Sequence, residues 1–258
     1  MLNIYKKLLI RIKQIYDILT FPGILRARIK GIYFDMYKML YKIKRQGIEP
    51  KTIIDVGASI GIFTKAANYL YPEAKIYSFE PLDSSFFKMK SLIGNNKNIK
   101  MYNFALGEKN GHILINKNKY EYSSSIFDMS DIHKNAFPYT AESAKQEIDV
   151  KILDEVFYNE SLERPILTKL DVQGYELNVL EGATNFLKKC DYIIIELSFK
   201  ELYIGQPLFN DIYSFLINNN FILIDFIDYL RNPVSFELLQ VDAVFKNQFL
   251  EKKIDEIK

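Results

Sequence analysis

Asp55, Gly57, Ser59 and Gly61 lie in TIIDVGASIGIF (52–63), where an apolar run opens into a turn whose glycines are four residues apart. Glu80, in YSFEP, follows about one βαβ unit later. Glycine tolerates a tight turn and lets the backbone approach a ligand that a β-carbon would obstruct. An ionised carboxylate one unit on offers two acceptor oxygens to paired ribose hydroxyls. Together these residues form a nucleotide-cofactor signature. Their spacing is G-x-x-x-G, however, and lacks the third glycine of the dinucleotide fingerprint G-x-G-x-x-G.

Three further acids close or enter apolar runs: Asp171 in ILTKLDV, Glu196 in YIIIELS and Asp242 in LLQVDAVFK. Both imidazoles of the chain, His112 and His133, fall in an irregular stretch. A histidine near neutral pH suits general base work, and His133 is the better placed of the two; His112 lies in GHILIN, which reads as a strand. Tyr120, Tyr122 and Ser123 to Ser125 offer hydroxyls and aromatic faces to an acceptor, or merely solvate a loop. Tyr175 and Glu176 read as structural, with Glu176 in the positive first turn of a helix. Cys190 reads as a small buried apolar residue.

These residues need a scaffold. From Thr52 onward strands and helices alternate: strand 52–57, helix 61–71, strand 75–80, helix 83–94, strand 99–106. Alternation of this kind builds a parallel sheet covered on both faces. It breaks at 107–147, read as an insertion. It resumes with strand 165–172, a helix from 175 to 189, strand 192–198 and a helix over 208–219. The runs FILIDFIDY and LLQVDAVFK are then joined by a loop too short for a crossover, which predicts an antiparallel pair. Before the first strand, Ile4, Leu8, Ile12, Ile15 and Leu19 recur at helical spacing among basic residues. That predicts an amphipathic helix over 3–20, docking on the domain, on a sister subunit or on an anionic membrane surface. A second helical stretch over 25–46 completes an extension of residues 1–47 ahead of a domain over 48–258.

The chain has 258 residues, is 48% hydrophobic and 26% charged, and has a net charge of +2. This composition belongs to a globular protein with a sizeable core. Basic and acidic residues are nearly balanced, which argues against nucleic acid as a partner. One cysteine leaves no internal disulfide and no cysteine metal cluster. No apolar run reaches the ~20 residues of a membrane span. Arg11 and Lys13 interrupt the N-terminal apolar stretch, so it does not read as a signal peptide. A soluble, cytoplasmic protein is the expectation.

PKTIIDVGASIG, FEP, the NFALGEKNG stretch, KLDVQGYELNVLEGA, IIIELS with LYIGQP, and VDAVF occur in this order from Ile48 to Lys246. In sequence and spacing the series resembles the FkbM-type family of class I S-adenosylmethionine-dependent methyltransferases. Ser59 stands where members often carry Asn, and Gln173 where many carry Glu. The resemblance implies an α/β Rossmann-like fold with a mostly parallel seven-stranded sheet, a C-terminal antiparallel hairpin and N-terminal helices. It also implies S-adenosylmethionine as cofactor and methyl transfer to oxygen, with a sugar hydroxyl as acceptor, on a nucleotide-activated sugar or a surface-polysaccharide (capsule) precursor. A secondary-metabolite hydroxyl is the alternative; a nicotinamide-dependent oxidoreductase or a non-catalytic binding module fits less well.

On this reading Asp55, Gly57, Ser59, Gly61, Glu80, Ala105, Leu106 and Asp171 form the cofactor site. A protonated alcohol is a weak nucleophile, so the reaction calls for a base or a divalent cation. Asp171, Glu196 and His133 are the candidates for the base, and Asp171, Glu196 and Asp242 for Mg²⁺ ligands. A homodimer through the N-terminal helices is also expected.

Overall fold

A computed structural model describes residues 15–118, 124–137 and 143–249. Ten strands are labelled in chain order: β1 Thr52–Val56, β2 Lys75–Phe79, β3 Ile99–Tyr102, β4 Ala105–Leu106, β5 Gly111–Asn118, β6 Ser143–Lys151, β7 Ile166–Leu170, β8 Tyr192–Ser198, β9 Phe221–Arg231 and β10 Leu238–Asn247. Seven form the main sheet in the order β3-β2-β1-β7-β8-β10-β9. Every neighbouring pair from β3 to β8 is parallel, and β10 is antiparallel to both β8 and β9. β10 alone therefore runs against the rest, and the expected hairpin closes the sheet. The α/β Rossmann-like, mostly parallel seven-stranded architecture is the observed one.

The central strands are apolar on both faces because helices cover both. Successive side chains of a strand point to opposite faces. Ile54, Val56, Leu170, Ile193, Ile195 and Leu197 accordingly join one core with the helices Glu176–Glu181, Thr184–Leu187 and Phe209–Asn218. Ile53, Leu167, Ile194 and Val244 join the other with Phe34–Arg45 and Ile62–Leu70.

Two elements differ from expectation. The predicted strand 99–106 divides: the chain leaves the main sheet at Asn103, whose amide donates to the carbonyls of Glu80 and Pro81 at 3.1 Å each, and β4 enters a second sheet, β4-β6-β5. The predicted helix 175–189 breaks at Gly182. A β-carbon there would overlap the Gly107 carbonyl oxygen, so the two backbones touch.

At the N-terminus, Ile4, Leu8 and Ile12 lie outside the described residues, as do Tyr120, Tyr122 and Ser123. Residues 15–20 are helical, and the stretch expected over 25–46 is two helices, Ile24–Ile29 and Phe34–Arg45, parted by Gly31 at φ +70°. Among the described residues no helix is long and apolar enough to cross a membrane.

Candidate active site

In an open parallel sheet the crevice lies beyond the carboxyl ends of the strands, where the order reverses. Here that point is β1, flanked by β2 and β7. A cavity of about 800 Å³, counting its open mouth, sits there. One wall is polar: Gly57, Ser59, Glu80, Asp171 and Gln173. The other is apolar, and Ile115, Ile126 and Ile148 from the second sheet and its following loop complete it with Leu82, Ala105 and Leu106.

The glycine loop is shaped by contacts with its own protein. Gly57 has φ +80°, and a β-carbon on it would overlap the Asp171 carbonyl oxygen. Gly61 has φ +85° and would place its β-carbon 2.7 Å from Met89 Cγ. The first glycine lines the cavity; the second lets helix Ile62–Leu70 approach helix Asp83–Ile93 and is not in the lining. Ser59 also adopts a left-handed conformation, φ 49°, which asparagine enters more readily than most residues.

Glu80 is 5% exposed and holds two loops. Its Oε2 accepts from the Ser59 N–H at 2.8 Å and its Oε1 from the Leu82 N–H at 2.9 Å. Glu80 also lines the cavity. The Ser59 hydroxyl beside it is buried with no hydrogen-bond partner.

Asp55 lies one layer below. It is fully buried, accepts from Thr64 Oγ1 at 2.6 Å and does not line the cavity. Its Oδ1 has no partner, and burial, partly offset by Lys169 and Thr64, raises its pKa. Its contacts are those of a group that orients the loop from beneath.

The acid cluster is organised by two residues that the sequence reading did not place among the site residues. Lys169 is buried, and its Nζ lies 2.9 Å from Asp171 Oδ2. Burial alone would lower the pKa of this ammonium, but Asp171, Asp55 and Asp242 together raise it. Gln173, at φ +54°, donates through Nε2 to Asp171 Oδ1 at 2.8 Å and to Glu196 Oε2 at 3.4 Å. Its Oε1 accepts from the Tyr203 hydroxyl at 2.7 Å, and its main-chain carbonyl from Ser125 Oγ at 2.6 Å. One signal was available for Lys169, since a lysine inside the fully buried run ILTKL needs an anion. None distinguished Gln173.

The carboxyls of this cluster separate electrostatically. Burial would push Asp171 up, but the Lys169 charge and hydrogen bond and the Gln173 amide outweigh it and hold the group below the usual carboxylate range. Burial, followed by repulsion from Asp171, Asp242 and Glu176, pushes Glu196 well above it. Burial first and Asp171 second raise Asp242 to about 7. Glu176, 3% exposed, is also raised to about 7 by burial, and its Oε1 accepts from the N–H groups of Val172 and Gly174. Asp171 is thus the ionised member, with 37% of its side chain exposed.

Two expectations need correction. Asp171, Glu196 and Asp242 do not form a cation site: among the described residues no three of His, Cys, Asp and Glu come together as a metal-binding group. Donors occupy the acids instead. Lys169 and Gln173 take Asp171, Gln240 Nε2 donates to Glu196 Oε2 at 2.7 Å, and Asp242 faces Glu196 across the β8–β10 pair.

His133 is not in the cavity lining. It caps no reactive group; its ring packs edge-on against Tyr203 and Phe137 at 5.1 and 5.6 Å, and burial lowers its pKa. His112 is exposed and pairs with Asp149 at 2.8 Å between the edge strand β5 and the central strand β6 of the second sheet.

The model of the methyltransferase FkbM domain matches residues 55–223, well over half of the chain. The 2-O-methyltransferase NoeI of Sinorhizobium fredii is 25% identical over 160 residues, covering 60% of this chain and 66% of the relative. Methyltransferase 1 of Beauveria bassiana is 27% identical over 159 residues, 56% of this chain and 64% of the relative. Hexuronic acid methyltransferase AglP of Haloferax volcanii is 24% identical over 150 residues, 58% of this chain and 56% of the relative. The chain therefore spans less than two thirds of the length of these curated relatives. By sheet order, cavity position and the span of the match, the chain belongs to the FkbM methyltransferase domain family.

Proposed function

We propose that the chain is an S-adenosylmethionine-dependent O-methyltransferase whose acceptor is a sugar hydroxyl. The observation that carries the reading is the polar wall: Glu80, anchored by two backbone N–H groups in the cavity lining, beside the unpartnered Ser59 hydroxyl and Gly57. These residues fit the ribose and methionine portions of the cofactor, and the apolar wall of Leu82, Ala105, Leu106 and Ile148 fits adenine. When bound, S-adenosylmethionine supplies an electrophilic methyl group on a sulfonium. An acid-rich site with one buried ammonium favours such a cation.

The chain's own part is positioning and proton transfer. Well-oriented encounter supplies roughly 7–11 kcal/mol. Ionised Asp171 faces the cavity and accepts the hydrogen bond of an incoming hydroxyl. Bound S-adenosylmethionine would supply its methyl group to the acceptor oxygen, and the proton that this oxygen loses would pass to the Asp171 carboxylate, which Lys169 and the Gln173 amide hold in place. The name of the hexuronic acid methyltransferase supports a carbohydrate acceptor, and that of the 2-O-methyltransferase supports transfer to oxygen.

Calorimetric titration with S-adenosylhomocysteine, with NAD as control, tests the cofactor. Micromolar binding of S-adenosylhomocysteine that falls at least about tenfold in Glu80→Ala supports the site; binding of NAD alone overturns it. Methyl transfer to sugar nucleotides, followed by mass spectrometry, tests the acceptor.

A further inference from the structure

Residues 15–33 expose a run of large apolar side chains that the rest of the described structure does not cover: Ile15, Tyr16, Leu19, Leu25, Ile29 and Tyr33. Leu19 is 76% and Ile29 85% exposed. Isolated exposed apolar residues are ordinary, but a contiguous set marks an interaction surface. The inward side of the same segment is already satisfied, since Phe21, Ile24, Ala27 and Ile32 belong to the core. Outward, the apolar residues alternate with exposed Arg26, Arg28 and Lys30. The acid of this stretch, Asp17, is 5% exposed and lies 3.7 Å from Lys38 Nζ, so it does not offset the surface charge.

The charge is concentrated here. Residues 1–33 contain seven Lys and Arg and one acid, a net charge of +6, so the remaining residues carry −4 of the chain's +2. The surface also has a definite place. Helix Phe34–Arg45 runs alongside helix Ile62–Leu70 with their C-terminal ends together: Lys44 Nζ donates to the Leu70 carbonyl at 3.1 Å, and Tyr71 Oη to that of Ile48 at 3.2 Å. Their N-terminal ends therefore lie together too, at the carboxyl ends of the strands. Gly31 lies there, where a β-carbon would be 3.1 Å from Lys65 Nζ. The basic apolar segment thus borders the rim on which the cavity opens.

We propose that residues 15–33 dock this rim on an anionic lipid surface. Apolar side chains interleaved with Lys and Arg are what the headgroup boundary of an anionic leaflet accepts. A second copy of the chain would set exposed Arg26, Arg28 and Lys30 against the same three cations. A nucleic acid would meet the charge but leave the apolar side chains in water. This docking goes beyond the methyl-transfer reading and stands independently of it.

Flotation of the full chain with vesicles of phosphatidylcholine, and of phosphatidylcholine with phosphatidylglycerol at roughly 7:3, tests it. The expected result is partition onto the anionic vesicles at about 0.1 M salt, at least about tenfold weaker on neutral vesicles or at about 1 M salt. Arg26→Glu with Arg28→Glu and Lys30→Glu should weaken it at least about tenfold, and Leu19→Ser with Ile29→Ser should weaken it again at unchanged charge. All five side chains are exposed, so thermal melts should match the parent. No partition onto anionic vesicles, or equal partition by the variants, overturns the proposal. So does a dimer in light scattering that Leu19→Ser with Ile29→Ser disperses.

Discussion

At the scale of single residues, the site sorts two carboxyls into two roles by their neighbours alone. Asp171 has the Lys169 ammonium at 2.9 Å and is held ionised; Glu196 has an amide, burial and three other acids, and its pKa is pushed well above the usual carboxylate range. Environments that push two pKa values apart are the mark of divided acid and base work. Asp171→Asn keeps the shape of the side chain but removes the charge facing the cavity. Turnover should fall roughly 10²–10⁴-fold while S-adenosylhomocysteine affinity changes far less, a split read from initial rates against calorimetry.

Much of this site was legible. Glu80, Gly57, Ser59, Ala105, Leu106 and Asp171 all line the cavity, because a strand followed by glycines determines where a backbone can approach. What was not legible came from across the fold. Nothing local to Gln173 says that Tyr203 and Ser125 will converge on it, and nothing local to His133 says that Tyr203 and Phe137 will bury its ring.

At the scale of elements, backbone contact between distant loops determines where helices stop. Gly182 parts the helices Glu176–Glu181 and Thr184–Leu187 at the place where it meets Gly107, so the break follows from tertiary contact. Gly182 has φ −79°, a value open to any residue, so nothing in its own backbone marks the break and periodicity alone predicted one helix through it. Because the opposing atoms are main chain, no side chain can give way. Gly182→Ala should therefore cost about 3 kcal/mol, the upper end of overpacking, read as a lowered midpoint in urea. The second sheet escaped the sequence reading for a similar reason. β4 is only Ala105–Leu106, and its partner β6, Ser143–Lys151, starts inside the stretch of 107–147 read as an insertion and pairs with β4 only through Val150 and Lys151 at its far end.

At the scale of the molecule, the buried acids tie stability to pH. Asp242 and Glu176 titrate near 7 in the folded protein, well above the ordinary carboxylate range. The folded state therefore binds more protons than the unfolded one between about pH 4 and 7, and stability falls as pH rises through that window. Asp171 works in the opposite sense: its pKa is lowered, so its contribution is present above the ordinary carboxylate value and is lost as the pH falls below it. Asp242→Asn removes the cost of ionising a buried group. It should raise the melting temperature at about pH 8 and change it little at about pH 5, a contrast that thermal melts at the two values would show.

The position of β10 has a consequence for how the molecule is made. Among the described residues it is the last strand of the sheet in chain order, yet it lies between β8 and β9 and is the only link joining β9 to the other strands. While the chain is being synthesised, β8 must wait with an open edge, and β9 emerges with nothing to pair with. An exposed β8 edge, YIIIELS, is a template for pairing with another nascent chain. The ribosome thus holds this sheet unfinished until Leu238 and the residues after it have left the exit tunnel. The residue that completes the acid cluster, Asp242, arrives in that same final stretch.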